Sequence, residues 1–256
     1  FYLLLSVVLL ISCTPQKKQA MQQVNAPKLS EDGRGLIRSK QATIANSKRS
    51  ALIIGNSTYA GGYSGSPLKN PVNDATDLAA KLKQLNFDLV NNGPLLNANK
   101  QQIKQAVKTF TAQLKQGNLG LFFYAGHGMQ VDGVNYLVPL GAEFKSKADL
   151  EYNAVNLDWV LAELENAKNP INFILLDACR DNPFRGFRSS KKGLAESRAP
   201  EGSLISFATG PGKVSSDGLG QRNSPYTRAL LKALDKPGIE VLSLFKSVRR
   251  DVKKST

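Results

Sequence analysis

Residues 119–130 read LGLFFYAGHGMQ. The first seven are almost wholly apolar and lack the polar alternation of a half-exposed strand, so they predict a strand buried on both faces. The run stops at small residues around His127, which is the chain's only histidine. Similar runs recur at ALIIGN (51–56), FDLV (87–90), INFILLDA (171–178) and SLISFATG (203–210). Between them lie helical patterns. NPVNDATDLAAKLKQL (70–85) repeats Leu78, Leu82 and Leu85, with Asn73 as the expected cap. NKQQIKQAVKTFTAQLK (99–115) aligns Ile103, Val107, Phe110 and Leu114 on one face. LDWVLAELENA (157–167), SPYTRALLKAL (224–234) and EVLSLFKSVRRDVKK (240–254) read likewise. Buried strands alternating with helices predict an α/β fold, a mostly parallel sheet covered on both sides.

In such sheets, sites form beyond the carboxyl ends of the strands. His127 ends the third apolar strand, and Cys179, in LLDACRDNPF (175–184), ends the fourth. Sequential strands are commonly neighbours, so the thiol and the imidazole meet on one sheet edge. A cysteine beside a histidine is a nucleophile with its general base, and 52 residues (179 − 127) separate them. The Gly128 and Cys179 amides are the expected oxyanion donors, and the glycines flanking His127 are expected to let substrate approach the backbone. The bland readings are a structural histidine and a small core cysteine.

The order of YAGHG and LLDACRDNPF, with ALIIGNSTY, NDATDLAAKL and FATGPGKVSSDGLGQRNSPYTRALL, resembles the caspase-like superfamily of cysteine peptidases, most of all its bacterial metacaspase (orthocaspase) members. The caspase motif itself places a histidine about 50 residues before a Gln-Ala-Cys. The resemblance implies a three-layer α/β/α sandwich around a sheet of about six strands. Where caspases carry glutamine before the cysteine this chain has Asp177, and Asp74 matches a second metacaspase pocket acid. Two carboxylates suit guanidinium or ammonium, so the resemblance implies polypeptide substrates cut after Arg or Lys. The pattern departs at Pro71 and Ala125, where metacaspases carry Cys and Ser. Many metacaspases need calcium. No dense acidic loop appears here, so no cofactor or metal is expected, and calcium dependence stays open. The basic loop 185–202 is expected to be self-cleaved.

Residues 1–13, FYLLLSVVLLISC, are too short to span a bilayer and read as a signal segment truncated upstream. Leu10-Ile11-Ser12-Cys13 resembles a lipobox, which implies lipidation at Cys13, export, and anchoring at a bacterial envelope membrane. Residues 14–48 read as a polar tether, and 49–256 as the peptidase domain, cut at its C-terminal end. Net charge is +14, yet the sequence offers neither zinc-finger spacing nor a basic stripe interleaved with aromatics, so nucleic acid is not an expected partner. The oligomeric state does not follow from the residues. The alternative function is a catalytically silent caspase-like binding module at the envelope.

Overall fold

The computed structural model describes residues 48–60, 66–114, 118–179, 199–208 and 220–255, with Cys179 described by its backbone. The expectations for Cys13, the tether and loop 185–202 lie outside the described residues. The elements, in chain order, are β1 (Arg49–Gly55), α1 (Pro71–Gln84), β2 (Phe87–Leu89), β3 (Leu95–Leu96), α2 (Lys100–Leu114), β4 (Leu119–Val131) and β5 (Val134–Leu137). There follow α3 (Lys147–Asn153), β6 (Val155–Asn156), α4 (Leu157–Ala167), β7 (Asn172–Cys179), β8 (Ser203–Phe207), α5 (Pro225–Leu234) and α6 (Val241–Ser255).

β1 pairs parallel with β2, β3 and β4; β4 pairs parallel with β7, and β7 with β8. Side chains alternate across this sheet as the strand period of two requires. Leu52, Ile54, Phe122, Ile174 and Leu176 face α2 and α4, meeting Ile103, Phe110 and Leu164. Ile53, Phe123 and Leu175 face α1, α5 and α6, meeting Leu78, Leu82, Leu230 and Val248. Three layers result, as expected of the fold class. The apolar face predicted for α2 is fully buried: Ile103, Val107, Phe110 and Leu114 are each 0% exposed. A large side chain buried this way contributes roughly 1.5–3 kcal/mol.

Several local expectations are corrected. α1 starts at Pro71, with Asn70 rather than Asn73 at the cap. Proline at the first helical position loses no hydrogen bond, because that N–H has no partner inside the helix. Asn73 lies within the helix and donates to the Arg222 carbonyl, 3.2 Å.

β4 does not stop at His127 but runs on to Val131. Its second half pairs antiparallel with β5, and β5 in turn with β6. Asp132 and Gly133, with φ of 50° and 84°, make the two-residue turn of this hairpin. α3 forms in a stretch of mixed charge, where the Ser146 side chain accepts from the Asp149 amide as an N-cap.

Lysines and aromatics do meet between α2 and α4. Lys104 and Lys108 lie 4.9 and 5.8 Å from the Trp159 ring. Lys108 also pairs with Glu163, and Lys100 donates to the carbonyls of Glu151 and Tyr152. This row joins elements far apart in sequence, so no single stretch displays it.

Candidate active site

β4 and β7 are the two central parallel strands, and their register sets His127 opposite Cys179 at the carboxyl end of β7. The sheet itself therefore brings the two predicted residues together. His127 is half-buried. Its Nε2 lies 2.7 Å from the Ser66 carbonyl oxygen. A carbonyl only accepts, so Nε2 carries a proton, and Nδ1 is the ring's acceptor whenever the imidazole is neutral. Sequence reasoning found no third group beside the pair, and a backbone carbonyl leaves no side-chain signature.

The backbone around His127 is held by phenols. Its amide donates to Tyr59 Oη at 3.0 Å, and that hydroxyl is 3.0 Å from the Val138 carbonyl. Tyr124 Oη lies 2.9 Å from the His127 carbonyl and 2.8 Å from that of Val138. The Tyr59 ring stands 4.5 Å from the imidazole, tilted by 51°. A Cβ on Gly126 would meet the two hydroxyls at 2.7 and 2.8 Å, at φ +155°. Gly126 thus makes room for Tyr59 and Tyr124.

The His127 carbonyl accepts from the Val138 amide, and the Ala125 carbonyl accepts from the Asn56 amide. Odd-numbered residues of this stretch therefore address the edge shared by β1 and β5. Gly128 addresses the β7 edge. The parallel register sets the Gly128 amide against the Cys179 carbonyl, and the Cys179 amide against that of Gly126.

Asp74 and Asp177 converge although 103 residues (177 − 74) separate them. Both are buried, 1% and 6% exposed. The Ser224 amide donates to Asp74 Oδ1 at 3.0 Å; the Ser224 hydroxyl and Thr227 Oγ1, the latter at 2.9 Å, donate to Asp177 Oδ2. These donors are neutral, so they stabilise carboxylate charge without cancelling it. Ser224 also caps α5, its Oγ accepting from the Thr227 amide.

The 222–224 turn is pinned from α1. Arg222 donates two bonds of 2.8 Å to Asp77, and Asn223 a third of 2.9 Å. These hydrogen bonds, Arg222's foremost, hold the Asp77 carboxyl below its ordinary range. Burial, with the Asp177 charge adding to it, pushes the Tyr226 phenol far up. Ser224, Thr227, Asp77 and Arg222 were not singled out from sequence, although Asn-Ser-Pro before an apolar run is a helix-start signal. Among the described residues no group of three or more His, Cys, Asp or Glu side chains is placed to hold a metal ion.

The caspase domain model of peptidase family C14 matches residues 48–256. The human mucosa-associated lymphoid tissue lymphoma translocation protein 1 is 32% identical over 130 residues, which are 51% of this chain and 15% of that protein. Its mouse homolog is also 32% identical over 130 residues, 14% of its length. The match thus spans about a seventh of these curated relatives.

Proposed function

The chain belongs to the caspase domain family of peptidases, and from that premise we propose a cysteine endopeptidase that cuts after Arg or Lys through Cys179 and His127. The family places the chain among cysteine-type peptidases acting on polypeptides. What carries the finer reading is the register that sets His127 beside Cys179 at the end of β7.

In this mechanism His127 Nδ1 takes the Cys179 thiol proton while Nε2 stays with Ser66. The thiolate attacks the scissile carbonyl carbon, and its oxygen becomes an oxyanion. The Gly128 and Cys179 amides receive that charge. Because the β4–β7 ladder also claims them, the rung at Cys179 must yield as substrate arrives. The imidazolium then protonates the leaving amine, the C–N bond breaks, and a thioester remains. Water, deprotonated by His127, attacks the thioester and frees the new carboxyl terminus and the thiolate.

Asp74 and Asp177 supply the negative field for the substrate's cation. Their burial in a shared hydrogen-bonded group supports a pocket role over two unrelated surface acids. Loop 185–202, rich in Arg and Lys, is the proposed self-processing segment. No cofactor enters this scheme. Lipidation at Cys13 would tether the domain to an envelope membrane, and palmitate labelling lost in Cys13→Ala tests that part.

The central test is hydrolysis of fluorogenic peptides ending in Arg, Lys or Asp, each with calcium and with chelator. Cleavage of the Arg and Lys peptides, abolished in Cys179→Ala and cut at least roughly 100-fold in Asp177→Asn by loss of the pocket's charge, is the expected result. Cleavage after Asp alone would refute the specificity. No cleavage by the wild type under either condition would favour the silent binding module.

A further inference from the structure

We propose that Tyr59 is a positioning residue for the His127 base. The inference rests on the proposed role of His127 and adds how its ring is aimed. Across an antiparallel pair such as β4–β5, the His127 amide would ordinarily donate straight to the Val138 carbonyl. Only half of that exchange is present, with the Val138 amide donating to the His127 carbonyl at 3.0 Å. In the other half a phenol is interposed. Tyr59 Oη accepts from the His127 amide and lies 3.0 Å from the Val138 carbonyl and 3.3 Å from Tyr124 Oη.

The phenol therefore acts as a spacer that keeps β4 and β5 apart at His127. The same side chain sets its ring 4.5 Å from the imidazole. Tyr59 is 2% exposed, so it has little room to move. Ser66 binds one nitrogen of the imidazole, while Tyr59 fixes both the backbone that carries the ring and one side of the ring. Near-attack geometry is sensitive to shifts of about 1 Å, which cost as much as 100-fold in rate. Without the hydroxyl, the His127 amide must reach Val138 directly, drawing β4 toward β5 and turning the imidazole.

Tyr124 supplies the internal control. Its hydroxyl lies 3.3 Å from Tyr59 Oη and against two carbonyl oxygens that have other donors, whereas the His127 amide donates to Tyr59. A merely structural role would make Tyr59→Phe and Tyr124→Phe alike, since each deletes one buried phenol oxygen from the same cluster.

Two measurements on the full chain test the proposal. In the first, kcat per active site titrated with a thiol alkylator is expected to fall roughly 10- to 100-fold in Tyr59→Phe at unchanged KM. In Tyr124→Phe it is expected to fall less than about threefold. The second reads the imidazole nitrogen resonances of 15N-histidine, which a single histidine makes unambiguous. In a Cys179→Ala background, Tyr59→Phe is expected to shift them and to weaken the preference for the Nε2–H tautomer. Equal kcat losses in the two variants, or imidazole signals unmoved by Tyr59→Phe, would overturn the proposal. A wild type without peptidase activity would sink the proposed function instead, while the resonance measurement would still decide the role of Tyr59.

Discussion

Adding one methyl group at Gly126 is the sharpest probe of the packing behind the site. The alanine Cβ would fall 2.7 Å from Tyr59 Oη, 2.8 Å from Tyr124 Oη and 3.1 Å from Tyr124 Cζ. Both phenols belong to large side chains that are almost fully buried, and both hydroxyls are hydrogen-bonded, so neither can swing away. Overpacking of this kind costs about 1–3 kcal/mol. The backbone adds its own strain, because φ is +155°, and such a conformation costs a further 1–3 kcal/mol or so. Together, Gly126→Ala should destabilise the domain by about 2–6 kcal/mol, or lower Tm by roughly 5–20 °C for a domain of this size. Urea denaturation read by fluorescence measures it. Gly93→Ala is the control, since no atom lies within 4 Å and the backbone there is extended, so its effect should stay within about 0.5 kcal/mol. Placing Tyr59→Phe in the Gly126→Ala background removes the nearer oxygen. The double variant should therefore be more stable than the two losses added together, by about 0.5 kcal/mol or more. Strict additivity, or a Gly126→Ala protein as stable as the wild type, would refute the reasoning.

Three further outcomes follow from the packing and the charges. Gly55→Ala would drive a Cβ to 2.4 Å from the Pro71 carbonyl oxygen and 2.7 Å from Ala75 Cβ, prising α1 from β1; a loss of about 1–3 kcal/mol is expected by calorimetry. Phe122→Ala, at a fully buried site in the central strand, should cost about 3–5 kcal/mol in the same assay. Asp77→Asn should lower Tm modestly at pH 7, since the Arg222 partner is exposed. The Asp77 carboxyl is held below its unfolded value of 3.8, so its contribution is full above that pH and fades as pH falls through the lower folded value. Variant and wild type should then converge in Tm at the acid end; a gap that widened there would contradict the assignment.

The features legible in sequence were those written in one stretch of chain. The apolar runs of β1, β4 and β7 and the heptad-like faces of α1 and α2 are local, and they gave the layers. Asp177, Cys179 and His127 stand out because polar residues follow directly on buried runs. The continuation of β4 past His127 was missed because Gly126 and Gly128 read as breakers, whereas one of them accommodates tyrosine hydroxyls. The Asp132-Gly133 turn signal was present and would have found β5. Ser66, Ser224 and Arg222 act across 61, 47 and 145 residues of chain, through a backbone carbonyl, a buried hydroxyl and a paired surface charge respectively. No periodicity reports such contacts.

The place where parallel pairing gives way to antiparallel pairing explains why the site is built here. β1 leaves the edge of β4 at Ala125, and β5 arrives on that same edge running the other way. Two strands of opposite direction cannot meet end to end and keep every rung, so buried backbone groups between them would lack partners. Side chains of the segment after β1 fill the gap. Asn56 accepts from the Ala98 amide at 2.9 Å, and its Nδ2 lies 3.1 Å from the Ala98 carbonyl and 3.4 Å from that of Val138. Asn97 accepts from the Ser57 and Thr58 amides, which shapes the turn that delivers Tyr59 to His127. The Asn-Ser-Thr-Tyr stretch after β1 and the Gly-His-Gly stretch of β4 are therefore two halves of one structural solution. A substitution at Asn56 should then disturb the His127 resonances without any contact to the imidazole, whereas one at Asn169, also buried but at the opposite ends of the strands, should not. Equal effects from both would mean that the histidine senses general stability rather than this junction.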